Sequence, residues 1–197
     1  MGFISLTTPN KNLLPGKAAI HCASDKIYDA GSEGIAWRVK RGVVRLDTGK
    51  QHGNANFASL AIAGDIIGCE SMLFGIYTFS ASALTECELS PWPQGETTNS
   101  GESLLHSLAQ AQSRAADMIA LRGGQATNRV LGLIHLLGDE ANRVVLPTRQ
   151  NIADITDLRF ETISRIIKGL ERVGILQPIK IEGVHATRSY VFNPAAG

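Results

Sequence analysis

The apolar period of this chain changes once, near residue 100, and that change sets what it can fold into. Before it lie short runs rich in β-branched and aromatic residues: "IYDA", "IAWRVKRGVVRLD", "NFASLAIAGDIIG" and "YTFSASALTECELSPW". Gly31, Gly34, Gly42, Gly49, Gly53, Gly64, Gly68 and Gly75 punctuate them, as turns punctuate short strands. Within Ile35-Ala36-Trp37-Arg38-Val39-Lys40 and Val43-Val44-Arg45-Leu46 polar and apolar residues interleave, with Arg41-Gly42 as the turn between. After the polar connector "PQGETTNSG" the period becomes helical. Strands first and helices second predict an α+β chain whose N-terminal part is a small β-roll or barrel.

Leu104, Leu105, Leu108, Ala111, Ala115, Met118, Ile119 and Arg122 recur at three- and four-residue spacing, which makes one stripe on a long helix. The small residues Ala111 and Ala115 would let a partner helix approach closely. The stripe could instead cover the chain's own β-region. A helix that joins two domains has few other surfaces to cover, so a coiled-coil dimer is the preferred reading. Gly123-Gly124 stops or bends this helix, because glycine disfavours helix interiors by about 1 kcal/mol. A second helix, Gln125 to Leu137, turns Val130, Leu131, Leu133, Ile134 and Leu137 inward, and Gly138 ends it.

Residues 146–176, "LPTRQNIADITDLRFETISRIIKGLERVGIL", carry the function. Thr148 is a good N-cap for a two-turn helix with Ile152, Ala153 and Ile155 inward. Thr156-Asp157-Leu158 is a turn of the length that joins the helices of a helix-turn-helix. The next helix runs from near Arg159 to Arg172 on an inward stripe of Ile163, Ile166, Ile167, Leu170 and Val173, and Gly174 caps it. Its opposite face presents Arg159, Glu161, Thr162, Ser164, Arg165 and Lys168. Arg pairs with guanine O6/N7, Glu accepts from cytosine N4, and Ser or Thr serves several bases. Thr148, Arg149 and Gln150 sit at a helix N-terminus, where backbone N–H groups favour phosphate. "ILQPIKIEG" and "ATRSYVFN" then read as the strand pair of a wing. A solvated face tied by i,i+4 pairs would also explain Glu161, Arg165 and Lys168, but not the surrounding helix–turn–helix–wing order.

Bulk electrostatics would not drive DNA binding. Residues 1–124 hold 10 Lys/Arg against 11 Asp/Glu, and residues 125–197 hold 9 against 7. Recognition must rest on local pattern. Three widely spaced cysteines, Cys22, Cys69 and Cys87, predict a reducing, cytoplasmic setting rather than a disulfide framework. No secretory signal is read at the N-terminus, and no apolar run reaches the roughly 18 residues of a membrane span.

These segments resemble the cyclic-AMP receptor protein and FNR (CRP/FNR) superfamily of bacterial transcription regulators, over nearly the whole chain. "TRQNIADITDLRFETISRIIKGLERVGIL" carries the resemblance most specifically, and "ETISR" at 161–165 looks like the FNR branch. "AGDIIGCESMLFGIYTFSASALTECEL" looks like the family's sensory β-roll, and 102–122 like its dimerisation helix. The resemblance implies a cupin-like β-roll sensor domain over 1–96, a linker and dimerisation helix over 97–124, and a winged helix-turn-helix over 125–197. It implies a homodimer on double-stranded DNA, an inverted repeat of TTGAT-type half-sites, contact with RNA polymerase, and half-site reading by Glu161, Ser164 and Arg165.

The effector is not fixed by the sequence. In cyclic-nucleotide-binding members a glutamate holds the ribose and an arginine about ten residues later holds the phosphate. Glu70 could match the first, but no arginine lies between Arg45 and Arg114. A buried phosphate would lack its guanidinium, which disfavours cyclic nucleotides. An iron–sulfur cluster of the FNR type needs four thiolates, three of them early, and only Cys22 lies early. Haem stays open, with His21, His52, His106 and the thiols as candidate ligands. The competing reading is a cupin-like metal-binding protein or enzyme with an accessory helical domain. No H-x-H pair and no nucleophile elbow occurs, so the chain is read as no enzyme and no metal site is assigned.

Overall fold

A computed structural model of the chain describes residues 18–49, 56–93, 100–139, 141–180 and 188–193, with the backbone alone given for 100–108. Two compact units divide it, Met1–Arg114 and Ala115–Gly197. Strands fill the first and helices dominate the second, as the change of period predicts.

The first unit is a roll of two four-stranded antiparallel sheets. One has the order β1 (Ala19–His21), β8 (Cys87–Trp92), β3 (Ala36–Arg41), β6 (Ile66–Ile67). The other runs β2 (Lys26–Tyr28), β7 (Phe79–Ala83), β4 (Val44–Thr48), β5 (Phe57–Ala61). The Arg41-Gly42 turn is therefore a corner at which the chain changes sheets, not a hairpin loop. Gly42 sits there at φ +87°, and a Cβ would lie 2.1 Å from the Glu86 carbonyl oxygen. Only glycine meets both demands.

Between the sheets, Val39 and Leu89 face Val44, Ala61, Ala81 and Ala83. The small β7 residues leave room for a pair of stacked rings, Tyr28 and Tyr77, with centroids 3.7 Å apart. The Tyr77 hydroxyl donates to the Ile35 carbonyl at 2.7 Å. Two glycines make space for Tyr77: a Cβ at Gly34 would lie 2.1 Å from its oxygen, and one at Gly68 would lie 2.5 Å from its ring. The short helix α1 (Ser71–Phe74) follows Gly68. At its far edge the roll meets the long helix α2 (Ser100–Ala120), where Arg114 pairs with the buried Asp65 at 3.3 Å.

In the second unit α3 (Ala126–Leu137), α4 (Arg149–Thr156) and α5 (Phe160–Arg172) stand on a three-stranded sheet. Its order is β10 (Leu176–Pro178), β11 (Ser189–Phe192), β9 (Arg143–Val145), all antiparallel. The strand β9 adds a third member to the expected pair. The residues between β10 and β11, 181–187, lie outside the described ones.

Gly138 ends α3 as expected, in extended backbone at φ −69°. Elsewhere the chain departs from the sequence expectation. The turn between α4 and α5 is 157–159, because Thr156 stays in α4, buried, with its hydroxyl donating to the Ile152 carbonyl at 2.6 Å. Asp157 takes the left-handed conformation at φ +53°, which a short polar side chain tolerates. Val173 is not part of the inward stripe: α5 stops at Arg172 and Val173 is 56% exposed. Arg122 is not part of the α2 stripe, since that helix ends at Ala120. The stripe itself divides, with Met118 buried and Ala111, Ala115 and Ile119 exposed. Side chains of Leu104, Leu105 and Leu108 lie outside the described residues.

The close approach of Gly34 to Tyr77 predicts that Gly34→Ala lowers unfolding stability by about 1–3 kcal/mol through overpacking. Urea denaturation checks this; an unchanged midpoint would mean that Tyr77 is not seated against Gly34.

Candidate nucleic-acid interface

The outer face of α5 is set by what its inner face buries. Ile163 and Ile167 are completely covered and Leu170 nearly so, and α5 packs on α4, where Ile152 and Ile155 are also buried. This 3.6-residue spacing turns residues 161, 165 and 168 to the opposite side. Glu161, Arg165 and Lys168 are exposed there, with Thr162 and Ser164 half-covered beside them. Arg159 is exposed at the N-cap position and makes no side-chain cap. Among the described residues no ion pair or side-chain hydrogen bond holds Arg159, Glu161, Arg165 or Lys168. The i,i+4 pairing that would make this an ordinary solvated face is not formed. The charges point outward, without partners among the described residues.

The three candidates at the start of α4 are differently placed, because each has an internal task. Thr148 caps the helix, its hydroxyl accepting from the Asn151 N–H at 3.2 Å. The Gln150 amide donates to Asp154 Oδ1 at 2.8 Å. Arg149 is half-buried and hydrogen-bonds to the Tyr190 hydroxyl, which in turn donates to Glu171 Oε1 at 2.7 Å. A guanidinium has five N–H donors, so Arg149 can serve Tyr190 and still offer donors to solvent. The cluster joins the start of α4, the end of α5 and the middle strand of the sheet, fixing the angle between the two helices.

Two further arginines, unassigned from sequence, hold the other end of α4. Arg122 donates to the carbonyls of Asp154 at 2.7 Å and Ile155 at 3.2 Å. Arg129 donates to those of Gly123, Gly124 and Thr156 at 3.2, 3.0 and 3.3 Å. Cationic donors on the last carbonyls of a helix satisfy groups that have no intrahelical partner and suit the helix dipole. An arginine after a helical stripe gives little signal of this role, because its partners are backbone atoms more than 20 residues away.

Phe160 opens α5 beside Arg159 and Glu161 and is 53% exposed. An apolar residue at a helix start ordinarily reads as core.

In the roll, the Glu70 carboxylate accepts from the Thr78 backbone N–H at 3.3 Å. Burial, and next the charge of Glu70, push the Cys69 thiol up from its ordinary range, which leaves less reactive thiolate. Burial likewise pushes up Cys87, whose thiol lies in the core. Among the described residues no three His, Cys, Asp or Glu gather as a metal site. His52 lies outside those residues, and His106 is given by its backbone alone. No helix among the described residues is long and apolar enough to cross a membrane.

The chain is similar in sequence to transcription regulators. No protein-family model matches it. The nitrogen fixation regulation protein FixK of Bradyrhizobium diazoefficiens is 28% identical over 176 residues, covering 76% of this chain and 73% of that protein. A probable transcriptional activator of Rhizobium leguminosarum bv. viciae is 28% identical over 185 residues, covering 85% of this chain and 75% of that one. Among solved structures, a CRP/FNR-family transcriptional regulator of Thermus thermophilus matches with a TM-score of 0.64 and 26% identity, covering 90% of this chain and 94% of that one.

Burial, and next the hydrogen bond to Glu171, push the Tyr190 hydroxyl up to about 12, with Arg149 opposing. A raised pKa stabilises the fold below the ordinary value of 10.0, and that contribution is lost as pH rises through about 12. Wild type should therefore lose more stability than Tyr190→Phe between these two pH values, by on the order of 2 kcal/mol. Denaturant titrations of both proteins at several alkaline pH values test this; parallel curves would dissolve the cluster.

Proposed function

Taking the chain as a DNA-binding transcription regulator of the CRP/FNR superfamily, and not an enzyme, we propose that it works as a homodimer on an inverted repeat of TTGAT-type half-sites. Each α5 enters a major groove, and the two grooves lie about 34 Å apart along one face of the duplex. Glu161, Ser164 and Arg165 read base edges: Glu161 accepts from cytosine N4, and Arg165 donates in fork geometry to guanine O6 and N7. Arg159, Thr162 and Lys168 flank them and contact bases or phosphates. Thr148, Arg149 and Gln150 bring the start of α4 to a phosphate, the backbone N–H groups supplying most of the donors.

One observation carries this reading: among the described residues the charged side chains of α5's outer face have no internal partners, while Arg149, Gln150 and Asp154 of α4 are engaged. Unpaired donors and acceptors held on a rigid helix can be aligned with base edges without first breaking contacts of their own. The "ETISR" run supports base preferences of the FNR type. The name of the Rhizobium relative supports activation, which would proceed through contact with RNA polymerase.

Residues 1–96 act as the sensory β-roll, 97–124 as linker and dimerisation helix, and 125–197 as the reading head. Ala111, Ala115 and Ile119 form the α2 seam with a second copy. They lie at four-residue spacing, and Ile119 is 75% exposed. A signal in the roll would shift this helix and so set the spacing of the two reading heads. Engagement of Glu70 by Thr78, with no arginine between Arg45 and Arg114, argues for a regulator that does not answer to cyclic nucleotides. Its effector, if it takes one, is of another class.

Arg165→Ala tests the assignment. Fluorescence anisotropy against a TTGAT-N4-ATCAA duplex and a scrambled duplex should show specific affinity reduced by about 1–3 kcal/mol, with non-specific binding nearly kept. An unchanged ratio between the two duplexes would remove Arg165 from the reading face. Ile119→Glu should convert the dimer to a monomer in sedimentation velocity and weaken operator binding at least tenfold. A surviving dimer would place the seam elsewhere.

A further inference from the structure

The short helix α1 is built inside out. Its one buried residue is Ser71, whose hydroxyl donates to the Gly68 carbonyl at 2.7 Å, with the Gly34 carbonyl at 3.2 Å. Its apolar residues face water instead. Met72 is 49% exposed, Leu73 79% and Phe74 70%, and Ile76, just beyond the helix, is 44% exposed. A helix on a soluble domain ordinarily turns its apolar face to the core and its polar face out. The core of the roll is closed by the tyrosine pair and the strand residues, without these four side chains. Gathered within five residues, they leave an apolar patch on the order of 400 Å², a size that in a monomer often marks an interaction site.

The chemistry of the patch restricts its partner. No charged residue occurs from 71 to 84, so this stretch offers no cation to a nucleic acid or an anionic lipid headgroup. Met and Phe are enriched, and charges depleted, in the cores of protein interfaces. Its place in the fold selects a second copy of the chain. Arg114 of α2 pairs with Asp65, and Ser71 follows Asp65 by six residues, so the start of α1 lies within about 20 Å of that contact. A helix with its side chains is about 10–12 Å across, so a second copy lying along α2 comes within reach of α1. The α2 seam alone is also too small. Among the described residues it offers Ala111, Ala115 and Ile119, whereas a stable dimer buries about 800 Å² on each partner. We propose that α1 is the second half of the dimer interface, its Met72, Leu73 and Phe74 packing on the exposed α2 of the other copy beside Ala111. The small alanine side chain lets the large ones approach the helix backbone. This inference rests on the homodimer reading and adds to it a contact between the roll of one copy and the helix of the other.

The test follows the patch while the dimer forms. Full-length wild-type protein is diluted through the range in which sedimentation velocity shows dimer passing to monomer, and each sample is exposed briefly to hydroxyl radicals. Mass spectrometry then reads oxidation at Met72, Leu73 and Phe74. These residues should lose most of their oxidation in the dimer and regain it on dilution. Leu73→Glu, at a position already in water in the single chain, should keep the wild-type circular-dichroism spectrum and weaken dimerisation by about tenfold or more. Should that variant fail to fold, the wild-type footprint decides alone. A dimer that forms without protecting Met72 and Phe74, or a Leu73→Glu dimer as tight as wild type, overturns the role of α1 and leaves the α2 seam standing. Low oxidation that persists in the diluted monomer also overturns it, since the chain then covers the patch itself. A protein that stays monomeric at every concentration overturns the homodimer reading as well.

Discussion

The outer face of α5 depends on the packing of α4 on α5, two helices whose apolar stripes, Ile152 and Ile155 on one and Ile163, Ile167 and Leu170 on the other, are buried. Each of these side chains contributes about 1.5–3 kcal/mol when fully removed from water. The contact fixes α5 in rotation as well as in place. A turn of the helix by one residue would expose isoleucine and could bury Lys168, which has no partner among the described residues to compensate its desolvation. The same packing that stabilises the unit therefore keeps the charges outward. Rigidity matters here because base-edge recognition tolerates only small errors in side-chain position.

Polar contacts finish what the isoleucines begin. The Arg149–Tyr190–Glu171 cluster ties the start of α4 to the end of α5, while Arg122 and Arg129 hold the C-terminal carbonyls of α4. Three anchors on a helix of eight residues leave α4 little freedom to rock. In the β-roll, by contrast, the interior is held by aromatic bulk: Tyr77 stacks on Tyr28 and is seated against Gly34 and Gly68. The glutamate that the resemblance would assign to a sugar is engaged by the neighbouring backbone of Thr78.

Periodicity made the larger parts legible. A 3.6-residue stripe over 163–170 could serve only a helix with one buried face, and the glycine-punctuated strands before residue 93 could serve only a small β-structure. What escaped prediction depended on atoms distant in sequence or on chain ends. β9 spans three residues, too few for a period to register. Val173 has the right spacing for the core but falls after the helix ends. Arg122 continues the numerical pattern of α2, yet its partners are carbonyls on α4. Arg41-Gly42 reads only as a turn, because alternation cannot reveal which sheet a strand joins. For the interface, residue chemistry pointed to the exposed side chains of α5, but could not show that the α4 candidates were already engaged.

The most direct test of recognition by α5 is dimethyl sulfate protection on the TTGAT-N4-ATCAA duplex with the purified protein bound. This reagent methylates guanine N7 in the major groove, the atom that Arg165 would cover. The guanine of each half-site should be protected, the two positions being related by two-fold symmetry and about one helical turn apart. Guanines that stay fully reactive while the protein remains bound would contradict recognition by this helix.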